Sequence, residues 1–384
     1  MSSLYAELIT EIEELERLEE PWRQLAHACA CPGALPDWQL AWFRHAAPAG
    51  SVLRAIAVFG DDDRLVGLAP FFTVPSGRVD YRLLGAGITH RLAPLALLGT
   101  NDEVARLVTE TLATARPRPD LIAFEGIDAA ASWPKAVAFA WPGLRPWRYT
   151  SSTHASPVIT LEGGSYESWF AARSASFRKN IREAERRTKR AGARIILAQA
   201  DNEIEKAIEA FSRLHTARWA HRGGSNLSPE SFATLAEAAR ALVPRDEMRL
   251  WALELDGQLI AVQVTFAAGG DVLCFNSGFD ESFAKLHPML LPKIALIKNA
   301  FERHERRIDF GAGDEVFKRR FATGDAPITW TGLVPRTHRY PLTRVRLAPD
   351  QTRWIATRLV RRLPPKRRKQ LKRLLRYRRA PIGT

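Results

Sequence analysis

A block of three strand-like runs occurs twice in this chain, and that duplication constrains the fold more than any single motif. The first copy, LRAIAVFGDDDRLVGLAPFFTVPSGRVDYRLLG, covers 53–85, and the second, MRLWALELDGQLIAVQVTFAAGGDVLCFNSGFD, covers 248–280. Each reads as strand, polar turn, longer strand, glycine-containing turn and strand. The turns DDD, DG, PSG and AGG carry residues that tolerate positive φ, as tight hairpins require. Both copies therefore predict antiparallel three-stranded meanders.

The flanks repeat as well. Helical periodicity precedes the meanders, over 5–28 (YAELITEIEELERLEEPWRQLAHA) and 201–221 (DNEIEKAIEAFSRLHTARWAH). In the second of these Ile204, Ile208, Phe211 and Leu214 recur at helical spacing and define one buried face. A helical run follows each meander, at 101–115 and 287–305, and then a strand, DLIAFEGID at 120–128 and RIDFGAGD at 307–314. The order helices, meander, helix, strand predicts an α/β duplication. Each half forms a mixed, mainly antiparallel sheet with flanking helices, which does not suit a doubly wound sheet. The seam falls near LRPWRYTSSTHASP at 144–157, giving an N-terminal unit over 1–150 and a second over 151–335. A ligand crevice is expected between the last meander strand and the next helix, whose N-terminus suits a phosphate.

The formal net charge is +14, but 17 Lys/Arg and a single Asp over 336–384 give that segment +16. The other 335 residues sum to −2, so the basicity belongs to a tail rather than to a nucleic-acid-binding body. Within it, 352–379 has 13 Lys/Arg, no acid and apolar residues at helical spacing, on two helices broken at Pro364-Pro365. Such a segment suits an anionic membrane surface or RNA. Three cysteines make neither a disulfide framework nor a four-ligand zinc set, and no metal site is expected. No apolar run is long enough to span a bilayer, and the acidic N-terminus is unlike a signal peptide, so a cytoplasmic protein is expected, with the tail peripheral on the inner face of the membrane.

Aligning LIAFEGID with RIDFGAGD sets Ile122 on Ile308 and Phe124 on Phe310, a shared packing pattern. Against it, Ala123 becomes Asp309 and Ser132 becomes Lys318, so the second copy has gained an ionisable pair. A mid-strand Asp needs a partner, because a lone buried carboxylate is costly. The Asp-Phe-Gly string lacks the His-Arg-Asp and glycine-rich loops of a kinase, and neither a phosphate loop nor a Gly-x-Ser-x-Gly elbow occurs. SASFRKNIREAERRTKRAGARI at 174–195 places Arg178, Arg182, Arg186 and Arg190 in one helical stripe, suited to phosphates or carboxylates. Arg218 and Trp219 sit at a helix end before Gly-Gly, where packing is the simpler role for the tryptophan.

In order along the chain, SFRKNIREAERR, LHTARW, FNSGFDESF and IDFGAGDEVFK resemble the FemAB/CelD-type group of the GNAT acyltransferase superfamily. The whole repeat resembles a tandem GNAT arrangement over roughly 10–335. That group's Asp-x-Gly-x-Gly, aromatic and Lys pattern corresponds to Asp309, Gly311, Gly313, Phe317 and Lys318. The chain departs from the group where the last meander strand enters its helix. In place of Ser-Pro-Gly it has His287-Pro288-Met289, so the glycine that lets a pyrophosphate approach is lost.

The resemblance implies an N-acyltransferase using acyl-CoA such as acetyl-CoA, acting on a small-molecule or sugar amine in envelope or exopolysaccharide metabolism. It implies that Asp309 orients or deprotonates the acceptor, that Lys318, Arg178 and Arg182 hold an anionic donor or acceptor, and that His287 and Pro288 adjoin the donor. Two alternatives stand beside it: an aminoacyl-tRNA donor, and a non-catalytic membrane-associated scaffold.

Overall fold

The computed structural model describes residues 4–74, 77–220, 224–225 and 227–362. The first half carries strands β1 (Tyr5–Ile9), β2 (Val52–Phe59), β3 (Leu65–Thr73), β4 (Asp80–Leu83), β5 (Leu95–Ala96), β6 (Leu121–Asp128) and β7 (Trp147–His154). Its helices are α1 (Ile12–Glu16), α2 (Glu19–Ala28), α3 (Pro36–His45), α4 (Asn101–Thr114) and α5 (Trp133–Ala140). The second half follows with β8 (Pro157–Thr160), α6 (Tyr166–Ala171), α7 (Ala175–Arg190), β9 (Arg194–Leu197), α8 (Asp201–Ala220) and α9 (Pro229–Leu242). Next come β10 (Met248–Leu255), β11 (Gln258–Ala268), β12 (Asp271–Phe279), α10 (Leu290–Glu302), β13 (Arg307–Asp309), α11 (Val316–Phe321) and β14 (Gly324–Asp325). β15 (Ile328–Val334) and α12 (Tyr340–Arg362) complete the described chain.

Both meanders form as their turn chemistry requires, β2-β3-β4 and β10-β11-β12, all antiparallel. Each then gains a parallel strand through a helix crossover: β6 beside β4 and β13 beside β12. The fold is thus α/β, with mixed, mainly antiparallel sheets and flanking helices. β3 is buried at every position, which explains its unbroken apolar run. α7 starts where Ser174 Oγ accepts the Phe177 N–H (3.2 Å), and α8 buries Ile204, Ile208, Phe211 and Leu214 as their spacing predicts.

The two sheets exchange strands. The first runs β1-β2-β3-β4-β6-β15-β7, with β5 paired to β3; the second runs β14-β8-β13-β12-β11-β10-β9. β15, which follows the second half in sequence, lies between β6 and β7 of the first sheet, while β8, from the seam, lies between β13 and β14 of the second. The seam read at 144–157 is therefore a place where the chain crosses between sheets. A shared core joins the halves: Trp38 of α3 packs on Phe266 and Phe275, with ring centroids 4.8 and 5.1 Å apart. Nearby, buried Arg23 pairs with Glu247 and with Asp37 at 2.7 Å.

Three expectations change. Residues 5–9, read as the start of a helix, are an edge strand paired antiparallel to β2, which supplies backbone partners that a short amphipathic helix would lack. The helix expected over 287–305 is shorter, α10 at Leu290–Glu302, because His287 takes a left-handed conformation (φ +51°) that ends the preceding 3₁₀ turn at Glu281–Leu286. The basic tail begins as a docked helix: on α12, Gln351 Oε1 accepts the Thr150 N–H (2.5 Å), and Trp354 Nε1 donates to Thr153 Oγ1 (3.1 Å). The break expected at Pro364-Pro365, and the rest of 352–379 beyond 362, lie outside the described residues. Among the described residues no helix is long and apolar enough to cross a membrane.

Candidate active site

β12 and β13 pair only through Asp271–Arg307, Val272–Ile308 and Leu273–Asp309. β13 then stops, whereas β12 continues to Phe279 past a bulge opposite Val264/Thr265. The two strands therefore part at Asp309, and the chemistry-bearing side chains converge on that vertex.

Asp309 is buried, and both its carboxylate oxygens are occupied. Ser156 Oγ and the Gly311 N–H donate to Oδ1, each at 2.7 Å, and Arg91 Nε donates to Oδ2. Arg91 comes from the loop after β4 in the first half. Its guanidinium also donates to Asp128 (2.6 Å) and to the Ala326 carbonyl, so one arginine ties the vertex to the first sheet. Gly311 adopts φ +75°, and a Cβ there would stand 3.5 Å from the Cys274 carbonyl oxygen, so the turn passes close to β12.

Lys318 reaches back from α11 to the Ala312 carbonyl (2.7 Å), the Gly311 carbonyl (3.3 Å) and Glu315 (3.0 Å). The ionisable pair expected from the repeat is thus not a direct ion pair: Asp309 bonds Arg91, and Lys318 bonds the turn. His90, beside Arg91, lies edge-on to Trp330 at 5.5 Å, with His154 on the same ring at 5.2 Å. Burial pushes His90 down to about 4; the Asp309 charge opposes this, and Lys318, His154 and Arg91 reinforce it. Its imidazole is neutral at physiological pH and can accept a hydrogen bond.

Below the vertex, Lys293 of α10 is buried against β11, donating to Gln263 Oε1, while Gln263 Nε2 bonds the Val264 (3.0 Å) and Asn276 (2.9 Å) carbonyls. Burial lowers its ammonium to about 8, and Lys318 and Arg218 push the same way. Cys274, also buried, is raised to about 11 by desolvation.

The remaining candidates are dispersed. Arg178 donates to the Ala171 carbonyl (2.7 Å) and to that of Arg173, closing the end of α6, and Arg182 lies over Phe170 at 5.8 Å. Arg187, which was not singled out, is the arginine of α7 that bonds the Lys285 carbonyl (3.2 Å) beside the α10 entrance. Arg218 stacks on Phe279 at 4.4 Å, and Trp219 packs beside His215. Gly313 donates to the Ala155 carbonyl (2.9 Å), joining the turn to the seam.

His90, Arg91, Ser156, Gln263 and Lys293 escaped the sequence reading. Three of them left a trace: Lys293 is the lone charge in LLPKIALI, and His90 and Arg91 are the two titratable residues in GITHRLAPLALLG. Ser156 carried no signal.

Residues 175–319, well under half of the chain, match the family model of an acetyltransferase (GNAT) domain. No curated protein matches by sequence. Among solved structures, FemX is similar with a TM-score of 0.58 at 12% identity, over 80% of this chain and 93% of that one. The C-terminal domain assigned to a lysylphosphatidylglycerol synthetase from Agrobacterium fabrum gives 0.54 at 11%, over 86% and 96%. L-PGS from Bacillus licheniformis gives 0.50 at 12%, over 90% and 98%. At these identities the structures establish the fold alone. The match gives residues 175–319 as an acetyltransferase (GNAT) domain.

GNAT domains in general use acetyl-CoA, so the start of α10 can be tested for a pyrophosphate cradle. It does not fit one. The Leu290 N–H already bonds the His287 carbonyl (2.8 Å), and Pro292 in the first turn has no N–H. Met289 packs with Phe283 and Leu286 against Leu253, Ile260 and Ala261, filling the approach with apolar side chains.

Proposed function

We propose that this chain transfers an acyl group from an activated donor to an amine at the vertex where β12 and β13 part. The observation that carries the reading is that a GNAT-matched segment presents, at that vertex, a cationic Lys318 held over a glycine turn beside a neutral His90. In the reaction the amine nitrogen attacks the acyl carbon, and the carbon–heteroatom bond to the leaving group breaks. The amine loses one proton and the leaving group gains one. In this reading Lys318 exchanges one of its turn contacts for the developing oxyanion, and the neutral His90 orients the amine by accepting its hydrogen bond. Asp309, engaged by three donors, serves as an anchor holding the turn against the first half.

The absence of a pyrophosphate cradle at α10 favours an aminoacyl ester, such as aminoacyl-tRNA, over acyl-CoA as the donor. The exposed arginines of α7 offer phosphates a surface. An acyl-CoA donor would need to be gripped elsewhere. A small-molecule or sugar amine remains the acceptor class, and the basic tail is proposed to rest on an anionic surface.

The test is acyl transfer to a panel of amines from labelled acetyl-CoA and, separately, from charged tRNA. Lys318→Met should cut the rate by about a hundredfold with whichever donor works. Equal rates for the variant and the parent would end the reading, as would no transfer from either donor.

A further inference from the structure

Beyond Asp128 and His154, which it shares with the surroundings of the vertex, a groove of about 670 Å³ opens between α5, the β7–β15 edge of the first sheet and the second half of α12. Its floor is hydroxylic: Thr150 and Thr153 from β7 meet Thr331 and Thr329 from β15, side chain to side chain at 3.4 and 3.1 Å. Two residues along β15, on the same face as Thr331, Leu333 packs with Ile122 and Phe124 in an apolar cluster. The sheet therefore changes from apolar to hydroxylic where its helix cover opens. Thr331 Oγ1 donates to the Tyr149 carbonyl (2.6 Å) and Thr329 Oγ1 to that of Ser152 (2.9 Å). With their protons committed, each oxygen accepts from its threonine neighbour on β7 and keeps one lone pair for a donor from the groove.

The rim is cationic. Lys135 of α5, Arg148 of β7, and Arg353 and Arg358 of α12 line the groove, and the acid there, Asp128, is already held by Arg91. Among the described residues Lys135, Arg148 and Arg358 make no ion pair, and Arg353 meets only Asp350, at 3.2 Å. The α12 wall is fixed to the sheet by the Gln351 and Trp354 hydrogen bonds, so the cations stand on a rigid support.

We infer that this groove binds a phosphorylated sugar, its hydroxyls donating to the threonine floor and its phosphate meeting the Lys135 and Arg358 rim. Cations alone would suit any anion. The acceptor-lined floor selects a polyol, and the volume exceeds what inorganic phosphate fills. The site goes beyond the acyl-transfer reading and stands whether or not that reading holds.

Isothermal titration of the full chain with glucose 1-phosphate, glucose, inorganic phosphate and vesicles of phosphatidylglycerol in phosphatidylcholine tests it. Glucose 1-phosphate should bind saturably at millimolar concentrations or below, about tenfold tighter than glucose or phosphate. The exposed double substitution Lys135→Gln/Arg358→Gln should weaken it by a further factor of about ten, with an unchanged melting temperature. Thr331→Val should weaken glucose 1-phosphate while leaving phosphate unaffected. Absence of saturable binding overturns the inference, as does binding indifferent to the double substitution. Vesicle binding without soluble sugar phosphate binding also overturns it, and assigns the rim to a lipid surface.

Discussion

Arg91 holds a left-handed backbone conformation (φ +62°) and spends its guanidinium on Asp309, Asp128 and the Ala326 carbonyl. Replacing it with leucine leaves the Asp309 carboxylate buried with only two donors. Arg91→Leu is expected to cost about 3–5 kcal/mol, read from urea denaturation. Asp309→Asn separates an anchor from a base: it should lower stability yet leave transfer within about tenfold of the parent, with the pH–rate profile unmoved. Loss of the acidic limb of that profile would instead make Asp309 the base. Two buried groups contribute, at opposite ends of the pH range, to the pH dependence of stability. His90, held near 4, stays neutral in the fold while the unfolded chain takes up a proton near 6.5. The His90 contribution is therefore fully present above 6.5 and is lost as pH drops toward 4, by on the order of 3 kcal/mol. Lys293, held near 8 against an ordinary 10.5, acts at the other end: the unfolded chain binds more protons in that window, so stability rises as pH climbs through it. Lys293→Met should raise the urea midpoint at pH 7 and abolish that rise.

Among the elements, α10 is the one on which the proposed choice of donor rests. Its first turn combines a proline without an N–H, a donor already used by His287 and an apolar plug at Met289. Restoring the missing features with Met289→Gly/Pro292→Ala returns one N–H and one close approach. Each hydrogen bond to a charged oxygen is worth about 1.5–3 kcal/mol, so acetyl-CoA should bind about tenfold tighter or more, measured by calorimetry. Unchanged affinity would place the determinant of donor choice elsewhere than the helix start. α7 teaches a related point. Its arginine stripe is real, but at its start Arg178 satisfies carbonyls and Arg182 covers Phe170, so helical spacing alone did not tell ligand-facing cations from those serving the fold.

For the whole molecule, the strand exchange makes the halves interdependent. β15 fills the gap between β6 and β7, and β8 fills that between β13 and β14. Cutting the chain at the seam removes a central strand from the first sheet and leaves open edges on both sides of the gap. Residues 1–155 and 156–384 expressed apart should be insoluble, whereas co-expressed they should elute together on size exclusion. Soluble, monomeric fragments would count against a shared architecture.

The duplication, both meanders, and the crossover helices and strands are written locally. Turn residues and apolar periodicity act over a few positions, and one copy of the repeat served as the control for the other. β1, β8 and β15 were not legible, because short strands of mixed composition become strands only when a distant edge offers them backbone partners. The site divides in the same way. Asp309, Gly311 and Lys318 stand out against the inert copy, whereas Arg91, Ser156 and His90 acquire meaning only where the halves meet. A buried carboxylate announces in sequence that it needs a partner. Which residue 218 positions away supplies it is decided by the packing of two sheets that trade strands.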